Sequence, residues 1–264
     1  MDYEQILVED RGEVRLITLN RPEKLNAWTR RMSRELTDAI VDGNGDDQIG
    51  AFVFTGSGRA FCAGADIGGE FAKNDDEPAK PPSDRSAGSD DPSDWVALCR
   101  ASKPMVAAIN GPSVGVGLTL VLPMDQLIAS DTAKLSARFV RMGLVPELAS
   151  SHFLVQRCGW GAASDLALSG RMVMADEAGR LGLVDSVVGA DELLDTAIAT
   201  AASYAGNPPW AVRTIKELLT LNGSEGDVAT VQRREMERLQ EAYQTAEHKE
   251  AVAAFLEKRE PRFR

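Results

Sequence analysis

Apolar and polar residues alternate over Gln5-Ile6-Leu7-Val8 and again over Val14-Arg15-Leu16-Ile17-Thr18-Leu19, the two-residue period of strands. A turn at Asp10-Arg11-Gly12 would join them into a hairpin. Asn20-Arg21-Pro22 breaks this pattern, and Met32, Leu36, Ala39 and Ile40 then recur at helical spacing until Gly43-Asn44-Gly45. Unbroken apolar runs at Ala51-Phe52-Val53-Phe54-Thr55, Met105-Val106-Ala107-Ala108-Ile109 and Gln126-Leu127-Ile128-Ala129 read as buried strands, with a helix around Leu118 to Leu122 before the last. Strands alternating with helices predict an α/β fold. After Asp191 the pattern is almost wholly helical. Leu193, Leu194, Ala197 and Ile198 share a face, Pro208-Pro209 starts a further helix, and the charged stretch Val231 to Glu250 follows. With little sheet left to cover, these stripes are expected to pack on another subunit, the alternative being that they only cap their own core.

Two glycine-rich segments punctuate the apolar runs. Phe61-Cys62-Ala63-Gly64-Ala65-Asp66-Ile67 and Asn110-Gly111-Pro112-Ser113-Val114-Gly115-Val116-Gly117 each close a predicted strand and open what reads as a helix. Glycines at such a junction let backbone N–H groups converge, and helix N-termini carry partial positive charge. Two such turns side by side would form an oxyanion hole for a carbonyl that is attacked or enolised.

Between Phe71 and Asp94 the chain is polar and proline-rich, so this stretch is expected to be a mobile loop, either a lid over a site or a plain insertion. The expected organisation is a core over residues 1–200, carrying that loop, and a helical oligomerisation region over 201–264.

The chain has 264 residues, and its 40 acidic against 29 basic side chains give a net charge of -11. Diffuse attraction to nucleic acid or an anionic membrane is thereby disfavoured, and any anionic ligand has to be bound locally. Cys62, Cys99 and Cys158 suit a reducing compartment better than a disulfide framework. The N-terminus lacks the regions of a signal peptide and no apolar run is long enough for a bilayer, so a cytoplasmic protein is expected. His152 and His248 are isolated, and no metal-ligand pattern is present.

Several strings together resemble the enoyl-CoA hydratase/isomerase, or crotonase, family. They are Asn20-Arg21-Pro22-Glu23-Lys24-Leu25-Asn26-Ala27, Ala60 to Ile67, Lys103-Pro104 with Ala108-Ile109-Asn110-Gly111, Ser169-Gly170-Arg171 with Ala175-Asp176-Glu177-Ala178 and Gly182-Leu183-Val184, and Ala253 to Arg259. The resemblance implies an α/β spiral of ββα units, a C-terminal helical region, homotrimers or dimers of trimers, and an acyl-CoA thioester as substrate, with no cofactor besides the coenzyme A of that thioester. It also implies that the backbone N–H groups of Ala65 and Val116 are the oxyanion donors. In the family the position of Val116 is often glycine, so valine is a departure. Ala27, Ala63, Asp66 and Ile67 match positions lining the coenzyme A groove, while Phe255 and Lys258 match residues reaching its nucleotide end, typically from a neighbouring subunit.

A hydratase of this family uses two glutamates, one to activate water and one to deliver a proton. The matching positions here hold Thr119 and Phe139, neither of which is a carboxylate base near neutral pH. One acid remains close by. Gly143-Leu144-Val145-Pro146-Glu147-Leu148-Ala149-Ser150-Ser151 resembles the Pro-Glu-x-x-Ser-Ser segment of the Δ3,Δ2-enoyl-CoA isomerases, whose catalytic glutamate matches Glu147. Moving a double bond needs only one group that takes a proton from C2 and returns it at C4. Pro146 and Glu147 also read as an ordinary helix start, with proline at the first helical position and an acid in the first turn. Asp125 and Asp131 are expected in turn roles. The leading expectation is an enoyl-CoA isomerase with Glu147 as proton shuttle. The other readings are a hydratase with a non-standard base and a catalytically silent acyl-CoA-binding paralogue.

Overall fold

The computed structural model describes residues 3–68 and 94–263. The predicted hairpin forms between β1 (Ile6–Arg11) and β2 (Val14–Leu19), paired antiparallel from Ile6 opposite Leu19 to Arg11 opposite Val14. Gly12 at the turn has a φ of 61°, a conformation glycine adopts without steric cost. The helix α1 (Arg30–Gly45) starts where the pattern places it, because the Thr29 hydroxyl accepts the Met32 N–H at 3.0 Å. Met32, Leu36, Ala39 and Ile40 form its buried stripe.

The three apolar runs are the strands β3 (Ala51–Gly56), β4 (Met105–Ile109) and β6 (Gln126–Ser130). With β9 (Ser186–Val188) they complete a sheet of order β1-β2-β3-β4-β6-β9 that is parallel from β2 onward. A parallel sheet has both faces covered, so its strands carry apolar side chains on both sides. Ile17, Leu19, Phe52, Phe54, Met105 and Leu127 point into the main core with α1 and with α4 (Ser150–Ser169).

The opposite face corrects one expectation. Val14, Leu16, Ala51, Val53, Val106 and Ala108 lie under α6 (Leu193–Ala205), whose Leu193, Ala197, Ala201 and Ala205 are buried against them. The first of the C-terminal helices therefore covers this chain's own sheet, and a boundary drawn at residue 200 falls inside it. Its four-residue spacing of alanines lets the helix lie close on the strands. The next helix, α7 (Pro209–Asn222), is tied down by Lys216, which donates to Asp125 at 2.7 Å and to the Lys103 carbonyl at 3.3 Å. Asp125 also accepts the Met105 N–H at 2.7 Å, so it anchors a turn as expected. The helices α8 (Val228–Ala242) and α9 (Ala246–Glu257) follow.

The segment 71–94, expected to be mobile, lies outside the described residues except for residue 94, where α2 (Asp94–Ala101) begins. Among the described residues no helix is long and apolar enough to cross a membrane, and no His, Cys, Asp or Glu cluster could hold a metal ion.

Candidate active site

The two glycine turns lie against each other. Cys62 forms a parallel bridge with Ser113, its N–H donating to the Pro112 carbonyl and its carbonyl accepting the Val114 N–H, both at 3.0 Å. Ser113–Val114 is the short strand β5 of a second sheet with β7 (Lys134–Ser136) and β8 (Val173–Met174). The approach is close enough to require glycine: a Cβ on Gly117 would stand 2.2 Å from the Cys62 carbonyl oxygen, and one on Gly111 would stand 2.3 Å from that of Arg59.

On its other side the first turn is zipped to the segment that follows Asn20-Arg21-Pro22. Ala63 N–H donates to Leu25 O at 3.0 Å, Trp28 N–H to Gly64 O at 2.8 Å and Asp66 N–H to Trp28 O at 3.0 Å. Leu25 and Asn26 both have positive φ, 52° and 54°, which costs on the order of 1–2 kcal/mol for each non-glycine residue. The buried Asn26 side chain holds that shape. It accepts Arg21 N–H at 2.8 Å and donates to the carbonyls of Ser57 at 2.9 Å and Ala60 at 2.8 Å. Each such buried bond would cost about 1–3 kcal/mol if left unmade.

This pairing decides where the Ala65 amide points. In the parallel bridge of Trp28 with Ala65, Trp28 bonds to the residues on either side of Ala65, so Ala65's own N–H turns away from Trp28, to the side where the second turn lies. It donates to no acceptor among the described residues. Val116 begins the single-turn helix α3 (Val116–Thr119), shorter than the helix expected to reach Leu122. As the first helical residue its N–H has no intrahelical partner, and none is seen elsewhere among the described residues. The unusual φ of 56° and ψ of -122° fall on Gly115, so valine at 116 sits in ordinary helical backbone and keeps its amide available. The first turn, by contrast, does not open a helix directly; residues 61–68 continue as bridge and turn.

The base-bearing segment also departs from expectation. Pro146 is not a first helical residue, because α4 begins at Ser150, after Leu148 and Ala149 with φ of 50° and 53°. Glu147 thus precedes the helix, joined to it by two left-handed non-glycine residues, and the macrodipole explanation for an acid in the first turn does not apply. Its carboxyl lies near Thr119, close enough for the threonine hydroxyl to influence its titration. Thr119 is fully buried, its hydroxyl donates to the Val116 carbonyl at 3.4 Å, and it stands one helical turn, about 4.5 Å of rise, from Val116. The surrounding protein raises the Glu147 pKa by desolvation, and the Thr119 hydrogen bond partly opposes this by favouring the carboxylate. The residue is nevertheless exposed in the single chain. Phe139, half-buried in the 3-10 turn Arg138–Met142, adds an apolar neighbour to this segment in the chain.

The remaining expected site residues separate into two groups. Ala27, Ala63, Asp66 and Ile67 come together along the zipped turn, with Asp66 paired to Arg21 at 2.8 Å and Ile67 exposed. Phe255 and Lys258 lie at the end of α9, where Phe255 is 82% exposed. Cys62, inside the first turn, is no nucleophile, since burial pushes its thiol up to about 11. Thr119 and Arg21 carry no functional assignment from the sequence. Both stand in recognisable motifs, but only the fold shows what their polar atoms reach.

A sequence profile described as enoyl-CoA hydratase/isomerase matches residues 9–264. The chain belongs to the enoyl-CoA hydratase/isomerase family. It is 38% identical over 263 residues to a probable enoyl-CoA hydratase of Mycobacterium tuberculosis, covering 100% of this chain and 99% of the relative. It is 34% identical over 255 residues to the 1,2-epoxyphenylacetyl-CoA isomerase of Escherichia coli, covering 95% and 94%. The crystal structure of an enoyl-CoA hydratase from Bacillus anthracis superimposes with a TM-score of 0.87 at 31% identity, covering 98% of this chain and 99% of the other. The protein is therefore an enzyme of the enoyl-CoA hydratase/isomerase family with the α/β fold and helical C-terminal region of its crotonase-like neighbours.

Proposed function

We propose that this enzyme isomerises 3-enoyl-CoA thioesters to 2-enoyl-CoA thioesters, with Glu147 as the single acid–base group. The observation that carries this reading is that the two positions where a hydratase of the family holds glutamates are Thr119 and Phe139, which leaves Glu147 as the acid near Thr119 and the Val116 turn. In the reaction the Glu147 carboxylate removes a proton from C2, the negative charge spreads onto the thioester oxygen, and the same carboxyl returns the proton at C4 as the double bond settles between C2 and C3. The Ala65 and Val116 amides stabilise the dienolate oxygen, a contribution of about 100- to 1,000-fold being typical of one oxyanion-hole donor. Water need not be activated and no cofactor enters the balance.

The groove along Ala27, Ala63, Asp66 and Ile67 receives the coenzyme A portion, and Phe255 and Lys258 contribute at its nucleotide end across a subunit boundary in a homotrimer or a dimer of trimers. Exposed apolar side chains at Met142, Leu144 and Val145, beside Glu147, and at Phe255 and Leu256 on α9 support such an assembly.

The test is to incubate the enzyme separately with a 3-enoyl-CoA and a 2-enoyl-CoA and follow both products. Isomerisation that disappears in Glu147→Gln is expected. The names of several relatives favour hydration instead, and hydration that survives Glu147→Gln, with no isomerisation by the wild type, would replace the present reading. Tight thioester binding without exchange of α-protons in D2O would identify a silent paralogue.

A further inference from the structure

Gly64 gives the first turn its shape, but it also gives it freedom. Its φ of 111° lies in a region where a residue without a side chain meets little steric resistance, and the peptide group joining it to Ala65 carries the N–H that must face the thioester oxygen. Something has to remove that freedom. The backbone bonds to Trp28 hold the turn at two points, and just beyond Asp66 the Ile67 N–H donates back to Ala65 O at 2.9 Å.

Arg21 bridges this weak corner. Its guanidinium donates from Nη1 to the Ala27 carbonyl at 2.6 Å and from Nη2 to the Asp66 carboxylate at 2.8 Å. Its own backbone N–H is fixed by the buried Asn26 side chain at 2.8 Å, and its carbonyl accepts the N–H groups of Lys24 and Asn26, both at 2.9 Å. The Arg21 and Asp66 side chains are only 16% and 13% exposed, so solvent competes weakly for the pair and the planar fork is worth more than an exposed ion pair. One arm of the fork grips the segment entering Trp28, and the other grips the residue directly after Ala65.

We propose that Arg21 is a positioning residue for the oxyanion site: by clamping Ala27 to Asp66 it fixes the direction of the intervening Ala65 N–H. The inference rests on the reading of that amide as a donor to a thioester oxygen, but not on which double-bond chemistry follows.

Arg21→Met removes the fork while keeping much of the side chain's length. In the full-length enzyme, Arg21→Met is expected to lower kcat by about tenfold, a fraction of the loss of a whole donor, with KM within about twofold. The Ala63 and Asp66 amides, bonded across the same zipper, should exchange with solvent at least about tenfold faster, as read by residue-resolved hydrogen exchange. Arg171→Met, which breaks a partly exposed ion pair with Asp165 and Glu177 elsewhere, serves as the control that leaves kcat unchanged. If Arg21→Met folds poorly, Arg21→Lys, which reaches one of the two acceptors but not both, is measured in its place and should show the same loss in weaker form.

Faster exchange with unchanged kcat would make Arg21 a plain structural staple and overturn the proposal. A raised KM with intact kcat would assign it to ligand binding and overturn the proposal equally, and unaltered exchange at both amides would also refute it. A wild type inactive on both thioesters would sink the isomerase reading alone, because exchange at Ala63 and Asp66 still reports whether Arg21 orders the turn.

Discussion

The two halves of the proposed site are built in opposite ways. The oxyanion half consists of main-chain groups locked between three neighbouring segments, with glycines that admit no side chain and an asparagine that satisfies three backbone groups from within the core. The base half is one side chain on a segment whose neighbours Leu144 and Val145 are 61% and 80% exposed in the single chain. Its connection to α4 passes through two left-handed non-glycine residues. The half proposed to hold the enolate is thus fixed by packing and, at the Ala65 turn, by the Arg21 bridge, while the half proposed to select the reaction hangs on a few contacts. Strained, lightly held segments of this sort are where functional groups concentrate.

This contrast can be broken from either side, and the largest effect is expected at the base. Glu147→Gln should reduce isomerisation by about 1,000-fold, within the range for loss of a general acid–base group, with thioester affinity nearly unchanged by titration calorimetry. On the oxyanion side Gly117→Ala should act through folding instead. Its Cβ would meet a backbone oxygen at 2.2 Å, which no rotamer change relieves, and a loss of about 3 kcal/mol or more in denaturant unfolding is expected. If Gly117→Ala unfolds like the wild type, the two turns are not interlocked as described.

Val145→Asp probes whether the exposed rim is covered by a second copy. Sedimentation should show a smaller species, and the Glu147-dependent activity should fall with it. Thr119→Val gives a smaller effect of a different kind. Isomerisation requires the carboxylate, so the rate should rise with pH through a value above the ordinary 4.5 and then level off. Removing the hydroxyl that favours the charged form should move that limb to higher pH, costing a few-fold in rate on the acidic side. A limb left in place would mean that Thr119 does not bond to the base.

The smallest effect is on stability. A carboxyl whose folded-state pKa is raised binds its proton more tightly in the native state, so ionising it weakens folding as pH climbs from about 4.5 through the folded value. Glu147→Gln should therefore melt slightly above the wild type at neutral pH, with the difference vanishing below pH of about 4.

Much of this is legible in the chain. The hairpin, α1 and the three buried strands follow from periodicity alone, because a strand covered on two faces and a helix covered on one leave different apolar patterns. The paired glycine turns are legible because few other arrangements need so many residues without side chains at strand ends. The rest needs the third dimension. The alanine stripe of α6 looks the same whether it faces a partner or its own sheet. Pro146-Glu147 has the composition of a helix start, and only the φ values of Leu148 and Ala149 show that the helix begins later. Arg21 and Asp66 are 45 residues apart, so no local pattern could join them. Thr119 reads in the sequence only as a residue that cannot be a base, and the fold is what brings its hydroxyl beside one. Residues 69–93 lie outside the described structure.

That the proposed donors at 65 and 116 are peptide nitrogens has a consequence for how such a catalyst can be altered. No substitution at either residue except proline deletes the group that holds the charge, so the side chains at 119, 139 and 147 can be exchanged among acids, alcohols and hydrocarbons while anion stabilisation persists. A laboratory library randomised at those three codons would sample new reactions on a half-finished catalyst, instead of searching for one from nothing.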